Sequence, residues 1–418
     1  MIVTAYALLP PDPATQAHLA VITSGNEGTL TLSVGGQNVE VAGAQIPSRS
    51  EYIYHFRVSN LRPATVHPWS IPGLGDGLPL KTLPGAMPPG GLTVCIISDV
   101  HTFLGPNHMT AVTDMDVVRD QSPDFLFVAG DQAFNNSFTF SETNGGRWID
   151  LFENWYSRLS VTHLVPIIAV PGNHDVGNGS WTGTEAVDPD GTYFRVFQPS
   201  IADVEPLGLN YGVVRLGDYV EFWGLDTHSA PTASLGAWLD TVTAEAPTAI
   251  PVMHSPLFAS NARNANDPVL QAAHRDAVGA KVVSETPVSF AGHLHIRTRS
   301  IEMGFFASDP GGDRFVISQG FLAPQEGGHV QVGQGYSIGR TGSAEWFLEE
   351  TQNGVKQFNR LDLSQGSLRV RTVGTDGGTL FDRTWTRPRS RRVQPVRADG
   401  TLGTFYGADG NPVYPRSA

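Results

Sequence analysis

Apolar and polar positions along the chain follow two regimes that meet near residue 90. In the first, short runs at 2–9, 18–23, 29–34, 39–41, 52–58 and 66–71 are separated by turn signals at Gly25-Asn26, Gly35-Gly36 and Gly73 to Gly77. Tyr52-Ile-Tyr-His-Phe-Arg-Val58 alternates as a half-buried strand does, and no helical period occurs before residue 87. This pattern predicts a small β-sandwich. Beyond a Pro- and Gly-rich linker at 84–91, continuous apolar runs at 92–98, 125–129, 164–170, 249–253 and 287–291 read as buried strands. They alternate with segments of helical period. The spacing of Ile149, Leu151, Phe152, Trp155, Tyr156 and Leu159 predicts a helix over 148–159, and a second is expected over 269–278. Strand-like runs return at 315–319, 345–349, 357–363 and 368–373. Strands alternating with helices imply an α/β layered domain with parallel strand content.

Each of the five buried runs is followed by a polar island: Asp99-Val-His101, Gly130-Asp131, Gly172-Asn173-His174-Asp175, His254-Ser255-Pro256 and Gly292-His293-Leu294-His295. Open α/β sheets place their chemistry just past the C-terminal ends of strands. Carboxylate, imidazole and amide donors without clustered thiolates suit borderline to hard divalent metals. Two metals about 3.5–4 Å apart need a shared carboxylate, for which Asp131 is the natural candidate. Asp99 and His101, two apart where a strand ends, can converge on one metal, and His293 and His295 can serve one each. Asn173 offers a neutral amide oxygen that limits the negative charge of the cluster. His174 and Asp175 read as an outer acid–base pair, the carboxylate orienting the imidazole.

A net charge of −13 excludes a phosphate-tracking nucleic-acid scaffold. It also leaves the attraction of anionic substrates to local metals and a few arginines. The lone Cys95 cannot form an internal disulfide. No run approaches the roughly 20 apolar residues of a membrane span. The first ten residues lack a signal peptide's cationic start and apolar core. The expectation is a soluble, membrane-free protein: cytoplasmic on this reading, periplasmic or secreted if a signal has been removed, and open to homo-oligomerisation.

Taken in order, the islands resemble the signature of the calcineurin-like metallophosphoesterases: D-x-H, GD, GNHD, a lone His and GHxH. The resemblance implies two divalent metal ions (Mn, Fe, Zn or a mixture). One would be held by Asp99, His101, Asp131 and His295, the other by Asp131, Asn173, His254 and His293. It further implies hydrolysis of small phosphate esters by a metal-bridging hydroxide, with His174 protonating the leaving alkoxide or steadying phosphoryl oxygens and Asp175 behind it. Stretches around Trp155, 165–171, 193–197, Leu225-Asp226-Thr227, 237–239, 253–258 and 374–377 resemble the purple acid phosphatase branch. Leu61-x-Pro63-x-Thr65-x-His67 echoes the fibronectin-type-III sandwich that precedes that branch's catalytic domain. The implied architecture is an α/β (α+β) chain: a fibronectin-III-like β-sandwich at 1–87, a four-layer αββα catalytic domain at 92–382, and an Arg- and Pro-rich extension at 383–418.

Two departures define the variant. Phe134 stands where purple enzymes carry a tyrosinate ligand, and His101 stands where they carry a non-ligand. Exchanging phenolate for imidazole implies a colourless site with both metals divalent. Arg263 falls where the similar enzymes place substrate-contacting histidines, and its guanidinium fork suits phosphate. Arg297 and His228 are further substrate-binding candidates. The ester class stays open between phosphomonoesters and phosphodiesters, with a dedicated cyclic-nucleotide or glycerophosphodiester enzyme as the alternative. An inert binding scaffold conflicts with the complete donor set. A metallo-β-lactamase-like hydrolase would need an H-x-H-x-D-H cluster, which is absent.

Overall fold

The computed structural model describes residues 1–47, 49–101, 112–132, 148–175, 192–197, 212–227, 232–242, 246, 248–257, 279–295, 297–300, 302–306, 321–324, 329–333, 348–352, 356–386, 405–406 and 412–413. Its centre is a pair of facing sheets. The larger orders ten described strands: Thr379–Thr386, Ser367–Gly374, Gln357–Ser364, Leu92–Ile97, Phe125–Ala129, Ile167–Val170, Ile2–Leu8, Ala17–Thr23, Tyr52–Val58 and Ala44–Gln45. The smaller orders seven: Gly212–Leu216, Val220–Leu225, Ala249–Met253, Val288–Ala291, Val330–Gly333, Arg297–Ser300 and Leu348–Gln352. The central strands of each sheet are parallel.

Strands buried on both faces explain the unbroken apolar runs. In Leu92–Ile97, Val94 and Ile96 meet Phe222, Ile250, Val252 and Phe290 of the other sheet, all buried. Cys95 and Ile97 face outward onto Met115, Val118, Trp148 and Phe152. Cys95 is thereby a small core hydrophobe whose thiol burial pushes up to about 12, far from reactive.

The segment predicted as a helix over 148–159 is helical, but not uniformly. Leu151–Trp155 winds as a π turn and Tyr156–Leu159 as a 3₁₀ turn. In this winding Phe152 stacks on Tyr6 with ring centroids 3.6 Å apart. The helix expected at 269–278 and the strand at 315–319 lie outside the described residues.

Residues 1–87 contribute strands to two facing β-layers. Leu30, Leu32, Val34, Trp69 and Ile71 face Leu19, Val21, Tyr54 and Phe56 across a shared core. One layer is not local, however. Leu8 pairs in parallel with Ile167, so the strands 2–8, 17–23, 44–45 and 52–58 continue the large sheet. Two side-chain contacts reinforce the junction: Tyr6 Oη donates to the Val196 carbonyl at 2.7 Å, and a His55 ring nitrogen meets the Arg195 carbonyl at 2.7 Å. At the other end, the strand Thr379–Thr386 carries the sheet past residue 382. Arg383, the first residue of the expected extension, pairs with Glu302 and lies over the Trp385 ring, 4.7 Å from its centroid. The arginines from 387 to 397 lie outside the described residues. No helix among the described residues is long and apolar enough to cross a membrane.

Candidate metal centre

All five islands sit at one edge of the sheet pair, each beyond the C-terminal end of a parallel strand. Asp99 and His101 follow Leu92–Ile97, and Asp131 follows Phe125–Ala129. Asn173 to Asp175 follow Ile167–Val170, His254 follows Ala249–Met253, and His293 and His295 follow Val288–Ala291.

The loops are pulled together by their own backbones. Asp99 N–H donates to the Gly130 carbonyl at 3.1 Å, His101 N–H to the Asp131 carbonyl at 3.0 Å, and Gly292 N–H to the His254 carbonyl at 2.9 Å. Such close approach explains the glycines of the islands. A Cβ on Gly172 would strike the Asp131 carboxylate and amide, and one on Gly292 would strike Ser98 and Asp99. The turns are also strained. Of the eight non-glycine residues with positive φ among those described, five are Asp99, His101, Asp131, His293 and His295. Each such backbone costs about 1–2 kcal/mol, which persists only where the surroundings over-determine it.

Two donor groups result. In the first, Asp99, His101, Asp131 and His295 present ligand atoms all within 4.8 Å of one another. His295 Nε2 lies 3.1 Å from Asp99 Oδ1, His101 Nε2 lies 3.5 Å from Asp131 Oδ2, and the two Nε2 atoms are 2.8 Å apart. The second joins Asp131, His254 and His293. His254 Nε2 is 3.2 Å from Asp131 Oδ2, and the Asn173 amide oxygen stands 3.3 Å from His254 Nε2 and 3.1 Å from His293 Nδ1. Asp131 belongs to both groups. All seven side chains are buried, His101 and His254 completely.

Neighbouring groups aim these donors. His254 Nδ1 meets the Ala129 carbonyl at 2.7 Å, so it carries hydrogen and leaves Nε2 as the converging atom. Asp99 accepts His293 N–H on both oxygens at 3.1 Å, and Ser98 Oγ donates to Asp99 Oδ2 or to the Ala129 carbonyl. Burial alone would raise both carboxyls, but the surrounding imidazoles outweigh it and hold Asp99 and Asp131 well below the usual range. For His254, burial opposes the charged ring, yet Asp131 and Asp99 raise it to about 9. Two buried anions facing four convergent imidazoles form a donor set that fits divalent cations, which replace the protons that otherwise balance the charge.

His174 and Asp175, both buried, follow Asn173 at the edge of the donor groups. The His174 ring lies edge-on to His101, with centroids 5.2 Å apart, and the His174 backbone N–H donates to Asp131 Oδ1 at 2.9 Å. Asp175 bonds to two neighbouring loops. Its oxygens accept the backbone N–H groups of Gln132 at 2.8 Å and Gly172 at 2.9 Å. The tight turn at 172–175 directs the carboxylate back into its own loop, tying the Asn173 loop to the Asp131 loop. Among the substrate candidates, Arg297 is buried at the start of the strand Arg297–Ser300. Its parity matches that of Arg299, whose guanidinium lies over Phe381, 4.5 Å from the ring centroid. Arg263, His228 and Phe134 lie outside the described residues.

Ser98, Gln132 and Tyr156 also belong to the site and escaped the sequence reading. Ser98 and Gln132 flank island residues, a weak signal. Tyr156 Oη donates to the Gln132 amide oxygen at 2.7 Å, from a helix whose sequence showed only apolar period.

Residues 92–297 match the family model of the calcineurin-like phosphoesterases. The chain is 23% identical over 326 residues to purple acid phosphatase 21 of Arabidopsis thaliana, covering 76% of this chain and 65% of that one. It thus spans just under two thirds of that relative's length. The purple acid phosphatase PPD1 from yellow lupin (Lupinus luteus) seeds shares the fold with a TM-score of 0.65 and 13% identity, over 91% of this chain and 74% of that one. PhoD shares it with a TM-score of 0.60 and 11% identity, over 98% and 95% of the two chains.

Proposed function

The chain belongs to the calcineurin-like phosphoesterase superfamily through residues 92–297, and from that premise we propose that it is a metal-dependent hydrolase of small phosphoric esters with a two-metal site. The observation that carries this reading is the position of Asp131, whose carboxylate stands in both donor groups at once. We assign one divalent ion to Asp99, His101, Asp131 and His295, and the other to Asp131, Asn173, His254 and His293. Bound there, the two ions would activate the attacking water and neutralise charge on the phosphoryl oxygens.

The chain's own residues supply the rest. Asn173 completes its donor group without adding charge. His174, beside His101 at the edge of the first group, would give a proton to the leaving alkoxide. Asp175 acts through the backbone, fixing the loops that carry Asp131 and Asn173. Arg263, Arg297 and His228 remain our candidates for contacting substrate. We read 92–382 as the catalytic αββα unit, residues 1–87 as a fibronectin-III-like β-sandwich that buttresses it, and 383–418 as an extension.

The test is elemental analysis of purified protein, with turnover of p-nitrophenyl phosphate and bis-p-nitrophenyl phosphate after reconstitution with Mn, Zn or Fe. About two metals per chain with metal-dependent hydrolysis is the expected result, and the ratio of the two rates separates a monoesterase from a diesterase. No metal uptake and no turnover on either ester would overturn the proposal.

A further inference from the structure

Behind the shared carboxylate, a buried hydrogen-bonded relay reaches Asp131 from a helix that carries no metal donor. The peptide joining Asp131 to Gln132 is held at both ends: its carbonyl accepts His101 N–H at 3.0 Å, and its N–H donates to Asp175 Oδ1 at 2.8 Å. The other Asp175 oxygen accepts Gly172 N–H at 2.9 Å. The Gln132 side chain, fully buried, is anchored in turn by the Tyr156 hydroxyl at 2.7 Å. Tyr156 is 2% exposed and stands where the π turn Leu151–Trp155 passes into the 3₁₀ turn Tyr156–Leu159. Single π turns within helices are frequent at functional sites.

Asp131 needs such support. Its φ of 55° is left-handed, and its Oδ2 must stand within reach of both His101 and His254. We propose that Tyr156 is a positioning residue for the shared carboxylate: through Gln132 it locks residues 130–132 against residues 172–175 and so sets where Asp131 stands between the two donor groups. The inference rests on the two-metal reading above. Partners behind a metal ligand typically govern affinity by about 10–100-fold.

The test begins with Tyr156→Phe, which removes only the hydroxyl. Titrated with Mn²⁺ by calorimetry, this variant should bind the second ion about 10–100-fold more weakly than wild type and lose the electron-paramagnetic-resonance signature of a coupled Mn pair. Gln132→Met removes the acceptor, and in that background Tyr156→Phe should have no further effect. A second arm uses metal-free protein. Deuterium exchange over residues 129–132 should accelerate about tenfold in Tyr156→Phe, as loss of one buried hydrogen bond implies, while the strand Ala249–Met253 exchanges as before. Unchanged Mn²⁺ affinity in Tyr156→Phe, or additive losses in the double variant, would overturn the proposal. Should wild type take up no Mn²⁺, the two-metal reading falls and the exchange arm alone decides the relay, with unchanged exchange over 129–132 overturning it.

Discussion

The buried histidines outside the metal centre make acid stability calculable, and His329 is the cleanest case. Its Nδ1 donates to the Thr286 carbonyl at 2.9 Å, and its Nε2 accepts from Ser289 Oγ at 2.8 Å, so the ring is neutral and fully committed. Burial holds its imidazole down at about 4, against 6.5 for an ordinary histidine. The unfolded chain therefore binds the extra proton between those values, and stability contributed by the neutral ring is complete above pH 6.5 and lost as pH falls toward 4. Linkage gives a loss of about 2 kcal/mol at pH 5 and about 3 kcal/mol at pH 4 from this residue alone. His329→Asn can keep the Thr286 bond while removing the titration. At pH 7 the variant should be less stable by about 1–3 kcal/mol, because the buried Ser289 hydroxyl loses its acceptor. Near pH 4 that gap should close or reverse. The assay is urea unfolding of wild type and variant from pH 7 to pH 4, both stripped of metal so that donor protonation is common to the two. Parallel stability profiles across that range would refute the reasoning. His55, held at about 4 mainly by burial and bonded to the Arg195 carbonyl, should show the same behaviour.

Asp131→Ala should lose both bound metals and nearly all turnover, and full activity with two metals per chain would remove Asp131 from the shared position. His174→Ala should retain the metals while turnover falls about 10²–10⁴-fold, the range for a positioned proton donor; unchanged turnover would make the residue structural. Gly172→Ala should destabilise the fold by about 1–3 kcal/mol and weaken metal binding, because its Cβ must displace the Asp131 loop, and calorimetry of folding and of Mn²⁺ uptake would show both or neither. Protein reconstituted with iron should show no visible charge-transfer band, since imidazole from His101 takes the place of phenolate; an absorption band would contradict the donor assignment.

Much of this was legible along the chain because the information is local. A strand buried on both faces must be continuously apolar, and a ligand at its end must follow within a few residues, so 92–97, 125–129 and 249–253 and their islands could be read directly. The strand 288–291 was expected one residue early. The donors converge because parallel strands end at one edge, which the alternation with helices already implied. Other features depend on partners distant in sequence. Alternation shows that Ile2–Leu8 is a strand but not which neighbour it joins, and only its pairing with Ile167 makes residues 1–87 part of the catalytic sheet. The same limit applies to residues 383–386, read as the start of an extension but paired with Ser367–Gly374 as the end of the strand Thr379–Thr386. Asp175 and His174 are adjacent in sequence, and only the turn at 172–175 sends the carboxylate to backbone amides. Residue types and spacing along the chain thus marked which residues were candidates to hold metal. The left-handed turns, the close approach at Gly172 and Gly292, and the bond from Tyr156 to Gln132 were decided by tertiary packing, because each exists only when segments tens to hundreds of residues apart are pressed together.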